Sequence, residues 1–177
     1  MRWVALDRDG TLIAERGYLS DAEGVEVLDG AAEALLRLRE LGLRVVVATN
    51  QSGVGRGYFD VGAVEAIHAR IVEKLGAAGA VIEGFYVCPH APEEECECRK
   101  PKTGLLEQAA RELGLPMEEC VVVGDKAADV ELGRNAGGRS ILVTTGYGAE
   151  DAGSVEADFV AGSLREAVEW MASSIDS

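Results

Sequence analysis

Basic charge is scarce in this chain of 177 residues: 17 lysines and arginines stand against 31 acids, for a net charge of −14. A general nucleic-acid binder needs a basic face, so that class is excluded and no nucleic-acid partner is expected. A local basic pocket inside an acidic protein still suits a small phosphorylated ligand. No apolar run approaches membrane-spanning length and no basic-then-apolar leader opens the sequence, so a soluble, cytoplasmic protein with no membrane partner is expected. Low-complexity tracts and internal repeats are missing too. A hydrophobic content of 47% over this length is enough for one domain, residues 1–177, whose core needs no cross-links. Cysteine is also sparse, yet three of the four, Cys88, Cys96 and Cys98, fall within eleven residues. In a reducing compartment that clustering points to metal before disulfide.

What the chain does have is organised around Val4-Ala5-Leu6-Asp7-Arg8-Asp9-Gly10-Thr11-Leu12. The apolar run reads as a buried strand that ends in two acids two residues apart. In extended backbone, positions i and i+2 share a side, so Asp7 and Asp9 can face one site. Two carboxylates there suit a divalent cation, or nucleophilic and acid–base chemistry.

Further strands are expected at Arg44–Ala48, Phe85–Cys88, Cys120–Val123 and Ser140–Val143. Helices are expected over Ala31–Leu41, from Asp60 to about Ala78, and over Gly104–Leu113, Val130–Ala136 and Ser163–Ala172, with Ile13–Val27 a loop. Strands alternating with helices predict an α/β fold, a three-layer α/β/α sandwich around a mostly parallel, Rossmann-like sheet. Ligands of such folds bind beyond the C-terminal ends of the strands, which is where Asp7, Thr49, Arg99-Lys100 and Asp125 fall.

Taken in order, Asp7-Arg8-Asp9-Gly10-Thr11, Thr49-Asn50-Gln51-Ser52-Gly53, Arg99-Lys100-Pro101 and Gly124-Asp125 with Asp129 resemble the haloacid dehalogenase superfamily. The nearest resemblance is to its D,D-heptose 1,7-bisphosphate phosphatase and histidinol-phosphatase group. That group shares the Cys-x-His and Cys-x-Cys pairs directly before Arg-Lys-Pro. The resemblance runs from Val4 to about Gly146, and five short motifs in the right order make it specific. It departs at Ile13, where the group commonly has Asn, at Thr103, where it has a second proline, and in a compact cysteine loop.

The resemblance implies a Mg²⁺-dependent phosphatase. Asp7 would attack phosphorus and form an aspartyl-phosphate, and Asp9 would serve as general acid and then general base. Mg²⁺ would take the Asp7 carboxylate, the Asp9 backbone carbonyl and Asp125. Thr49 and Asn50 would donate to the transferring phosphoryl group while Lys100 offsets its charge. Glu15, Arg16, Gly17, Tyr18, Gln51, Ser52, Arg99 and Lys126 would line the substrate pocket, the last two cations reaching a second phosphate. Cys88, His90, Cys96 and Cys98 supply enough ligands for a closed, structural zinc site that would fix the Arg99-Lys100 pair after it. His68 reads as a helix-surface or packed residue and Cys120 as a buried one.

The gaps between Asp7 and Thr49 and between Thr49 and Lys100 are too short for a cap domain, so a capless enzyme is expected, a monomer by default. The implied substrate is a small phosphorylated sugar, D-glycero-D-manno-heptose 1,7-bisphosphate, cleaved at C7 for bacterial surface polysaccharide. Histidinol phosphate is the alternative. A catalytically silent phospho-ligand binder is the alternative from another class, and an intact Asp9 speaks against it.

Overall fold

A computed structural model gives the architecture and describes residues 1–175; residues 176–177 of the expected domain lie outside the described part. Six strands form one sheet: β1 (Trp3–Leu6), β2 (Arg44–Asn50), β3 (Phe85–Cys88), β4 (Cys120–Gly124), β5 (Arg139–Val143) and β6 (Phe159–Ala161). Their order is β3-β2-β1-β4-β5-β6 and every pairing is parallel. Seven helices connect and cover them: α1 (Ala31–Glu40), α2 (Ser52–Gly55), α3 (Val61–Gly76), α4 (Gly104–Leu113), α5 (Ala127–Asn135), α6 (Gly148–Asp151) and α7 (Leu164–Ile175).

Alternation along the strands splits the core into two layers. Val4, Leu6, Val45, Val47, Val121, Val123, Ile141 and Val143 face one side, where they pack with α1, α3 and α7. Trp3, Ala5, Val46, Ala48 and Val122 face the other, against α4 and α5. A sheet buried on both faces explains why its strands read as continuous apolar runs. β1 is flanked by β2 on one side and β4 on the other. The order in which strands are added reverses there, from β1-β2-β3 on one side to β4-β5-β6 on the other, and the crevice at the C-terminal ends of β1 and β4 is the fold's natural ligand site.

The differences from the sequence reading are local. β6 was not anticipated: three residues between Asp158 and Gly162 are too short to show a period. α5 starts at Ala127 rather than Val130, because Asp129 accepts the Lys126 backbone N–H at 3.2 Å and so caps a turn that reads as loop. The short helices α2 and α6 lie in glycine-rich stretches that carry no helical period. The expected loop Ile13–Val27 is closed at its base by a bridge between those two residues and contains one 3₁₀ turn, Ala22–Gly24. Among the described residues no further domain interrupts β1–β2 or β2–β3, which leaves the crevice without a cap domain.

Candidate active site

β1 delivers Asp7 to the switch point, where its N–H bonds the Val123 carbonyl of β4 at 2.8 Å. Lys100 crosses from the segment before α4 and is buried. Its Nζ donates to Asp7 Oδ1 at 2.8 Å, Asp129 Oδ1 at 2.7 Å and the Ala48 carbonyl at 2.8 Å, which uses all three of its protons. Burial alone would lower the Lys100 pKa, but the charges of Asp129 and Asp7 outweigh it and hold the ammonium above its ordinary value. For Asp7 the balance also favours charge. Burial would raise its pKa, and the Lys100 ammonium brings it below the ordinary carboxylate value.

Asp125 lies beneath Asp7, fully buried at the end of β4. Its Oδ2 accepts the Tyr147 N–H at 2.8 Å, while Oδ1 is buried without a hydrogen-bond partner. Two glycine backbones press against this carboxylate: a Cβ on Gly146 would stand 2.0 Å from Oδ2, and one on Gly10 2.2 Å from it. Gly10 also needs its φ of +84° for the turn after Asp9. Burial first, and the Asp7 charge second, push the Asp125 pKa up to about 7. Asp7, Asp125 and Asp129 each present a ligand oxygen, all within 4.8 Å of one another. Three buried carboxylates, one orphaned oxygen and a single fully buried ammonium make a donor set that fits a hard divalent cation.

The Asp9 carboxylate lies outside this cluster of three but lines the same cleft as Asp7. Arg8 meets it with Nε on Oδ2 at 2.9 Å and Nη2 on Oδ1 at 3.0 Å, and Gln51 Nε2 donates to Oδ2 at 2.9 Å. Gln51 Nε2 also reaches Thr49 Oγ1 at 2.8 Å. Asn50 is spent on Lys100: its Oδ1 accepts the Lys100 N–H at 3.0 Å and its Nδ2 donates to the Lys100 carbonyl at 3.2 Å. Asn50 thereby holds the backbone of Lys100, and the second Nδ2 proton is left for the cleft that Asn50 lines.

A cleft of about 370 Å³ opens over Asp7. Asp9, Thr49, Asn50, Gln51, Ser52, Arg99, Lys100 and Lys126 line it, with Glu15, Gly17 and Tyr18 from the loop after Asp9. Arg16 is not brought in: it is exposed and pairs with Glu26. Lys126 lies 3.4 Å from Glu15 and 5.1 Å from the centre of the Tyr147 ring. Tyr18 meets Tyr58 edge-on at 4.8 Å across the rim. Sequence reasoning gave no role to Asp129 or Arg8. Asp129 stands in the sequence as part of the Gly124-Asp125 motif, and its bond to Lys100 becomes visible only with the helix start between the two acids. Arg8 had no signal beyond its place between two acids.

The cysteine loop also closes on itself. Cys88 Sγ is 3.5 Å from Cys96 Sγ and 3.6 Å from His90 Nδ1, and Cys98 Sγ is 3.5 Å from Cys96 Sγ and 3.2 Å from His90 Nδ1. Sulfurs at these distances are not disulfide-bonded. A tetrahedral ion with bonds of about 2.3 Å would hold its ligands roughly 3.7 Å apart, so the four atoms fit zinc. Burial pushes Cys88 up to about 12, whereas Cys96, despite its own burial, is brought down to about 7 by hydrogen bonds with Cys88 and Cys98.

Comparison with known proteins places the chain. A family model described as HAD-hydrolase-like matches residues 97–167. The D-glycero-D-manno-heptose-1,7-bisphosphate 7-phosphatase of Thermosynechococcus vestitus is 40% identical, over 95% of this chain and 94% of the relative. The chain belongs to the heptose 1,7-bisphosphate 7-phosphatase family of HAD-like hydrolases. Another relative in this family, the β-anomer-named enzyme of Haemophilus ducreyi, is 36% identical over 95% of this chain and 97% of its own length. The D,D-heptose 1,7-bisphosphate phosphatase of B. bronchiseptica, solved with magnesium and phosphate, superposes with a TM-score of 0.91. It shares 31% identity and covers 98% of this chain and 99% of its own. The corresponding enzyme of Burkholderia thailandensis gives a TM-score of 0.74 at 32% identity, over 98% and 99% of the two chains.

Outside both the cleft and the cysteine loop, the surroundings of His68 shift its pKa strongly. His68 on α3 is buried, stacked on Phe85 at 4.2 Å, with Nε2 3.4 Å from Arg8 Nη1. Burial, and then the Arg8 charge, lower its pKa from 6.5 to about 4. A depressed histidine contributes stability that is fully present above pH 6.5 and is lost as pH falls towards 4. Between pH 7.5 and 5 the wild type is expected to lose about 2 kcal/mol more unfolding free energy than His68→Gln. Urea titrations of the two proteins check it, and parallel pH dependences would refute a neutral, buried imidazole.

Proposed function

We propose that this chain is a Mg²⁺-dependent phosphatase that removes the C7 phosphate of D-glycero-D-manno-heptose 1,7-bisphosphate. The observation that carries the reading is the pairing of Asp7 with Lys100 above Asp125 at the switch point, with Asp9 two residues on and facing the same cleft. Asp7, ionised beside Lys100, attacks phosphorus. The departing sugar oxygen takes a proton from Asp9, leaving an aspartyl-phosphate on Asp7. Asp9, now a carboxylate, then takes a proton from the water whose oxygen attacks that phosphorus, which frees phosphate and restores Asp7.

Thr49 Oγ1 and Lys100 stand at the cleft floor, where charge gathers on the transferring phosphoryl group. Asp7, the Asp9 carbonyl and Asp125 would hold Mg²⁺, which when bound supplies positive charge beside that group. Asp129 is the second counter-ion of Lys100, which keeps the ammonium anchored when Asp7 engages phosphorus. Arg99 and Lys126 on the cleft wall supply charge for a second phosphate, which favours a bisphosphate. Cys88, His90, Cys96 and Cys98 would hold a structural zinc that fixes the adjoining Arg99-Lys100 pair.

Phosphate release with Mg²⁺, compared between both heptose 1,7-bisphosphate anomers and histidinol phosphate, tests the reading. Preference for a bisphosphate anomer by at least about 10-fold in kcat/KM is expected. Preference for histidinol phosphate would keep the chemistry and overturn the substrate; no release from any would overturn both. For the loop, about one zinc per chain is expected by elemental analysis, with a chelator lowering thermal stability. Folded, active protein free of zinc would remove that role.

A further inference from the structure

We infer that Arg8, backed by His68, is a positioning residue that aims the acid–base carboxylate of Asp9. The inference rests on the phosphatase reading above. Asp9 lies beyond the end of β1 and one residue before the left-handed Gly10, and an isolated bridge to Ile13 holds its backbone but leaves the direction of its side chain to be set. Arg8 sets it. Its guanidinium is 1% exposed and grips both Asp9 oxygens, while the same Nη2 donates to Gln51 Oε1 at 3.0 Å. Gln51 in turn ties Asp9 Oδ2 to Thr49 Oγ1, which sets the carboxylate in register with the phosphoryl-facing hydroxyl.

The remaining arm, Nη1, faces His68 Nε2, and His68 rests flat on Phe85 of β3 with the rings 17° from parallel. The support therefore runs from two packed elements of the core, β3 and α3, through one guanidinium to a carboxylate on a turn. Simple stability does not account for it: a buried ion pair is commonly no better than well-packed apolar side chains of the same volume. A planar fork, by contrast, fixes both the position and the plane of a carboxylate, which a lysine ammonium at the same place would not. Orientation is what a general acid needs at the moment the leaving oxygen departs.

Leaving groups that differ in their need for a proton separate positioning from mere structure. Expulsion of a sugar alkoxide requires a proton from Asp9, whereas p-nitrophenolate leaves without one. The measurement is kcat/KM, which reports phosphoryl transfer to Asp7, for heptose 1,7-bisphosphate and p-nitrophenyl phosphate. It is made on wild type, Asp9→Asn, Arg8→Lys and the double variant. Arg8→Lys is expected to lower the sugar-phosphate value about 100-fold further than the p-nitrophenyl value, with the selectivity of Asp9→Asn in weaker form. The double variant should fall no further than Asp9→Asn alone, because both changes remove one function.

An Arg8→Lys loss equal on both substrates, or a double variant whose loss is the product of the two single losses, overturns the inference while the phosphatase reading stands. Wild type inert on both substrates overturns both together. Should Arg8→Lys not fold, His68→Gln decides by the same ratio: a selective loss of about 5-fold is expected, and an unselective one overturns the positioning role.

Discussion

Asp7→Asn is expected to lower kcat by about 10⁵-fold or more while the fold stays intact. A carboxamide is no nucleophile at neutral pH, and no second acid is placed to substitute. Asp9 is gripped by Arg8 and Gln51, Asp129 is bonded to Lys100, and Asp125 sits beneath Asp7 against the Gly10 and Gly146 backbones. The fold should tolerate the change because Lys100 keeps Asp129 Oδ1 and the Ala48 carbonyl, and an amide oxygen in place of Asp7 Oδ1 still accepts. Unfolding free energy within about 1 kcal/mol of wild type is the expected companion result. Rapid-quench experiments should then show no phosphorylated protein. Residual turnover above about 1% with unaltered phospho-protein would mean that another group attacks phosphorus.

Legibility in the sequence followed the length of the physical signal. Continuous apolar runs such as Val45–Ala48 and Val121–Val123 are buried on both sheet faces, so they announced strands by composition alone. Their C-terminal neighbours Asp7, Thr49 and Asp125 followed, because a parallel sheet puts such residues at one edge. Phe159–Ala161 is just as much a strand, but three residues carry no period, and it is held largely by pairing with β5. The same limit applies to single side chains. Lys100 could be assigned because Arg99-Lys100-Pro101 resembles a family motif, whereas the grip of Arg8 on Asp9 depends on a rotamer and on His68, 60 residues away. Arg16 shows the converse: its sequence position brings it near the cleft, yet Glu26 takes its guanidinium.

Lys100→Met should be the most destabilising substitution in the site, at about 3–5 kcal/mol, which for a chain of this size lowers Tm by roughly 6–20 °C. Methionine fills a similar volume, so the cost is electrostatic. Without the ammonium, Asp7, Asp125 and Asp129 remain within 4.8 Å of one another and buried, with the half-exposed Lys126 as the cation whose charge still acts on all three. The sign with pH follows from the lysine and the acids separately. A lysine whose pKa is raised in the fold contributes fully below its ordinary value of 10.5, so the loss is complete at neutral pH. The carboxyl pKa of Asp125 is already pushed up to about 7 by burial and Asp7, and that of Asp129 is raised by burial, so acidification protonates them and relieves the repulsion. The destabilisation should therefore be smaller at pH 5 than at pH 8. Mg²⁺ should recover more stability in the variant than in wild type, because it replaces the missing counter-charge, while kcat stays about 10³-fold down for want of the ammonium beside the attacking Asp7 carboxylate. Differential scanning calorimetry at both pH values, with and without Mg²⁺, reads all of this. A variant within 1 kcal/mol of wild type at pH 8 would show that Lys100 is not what holds the acidic cluster together.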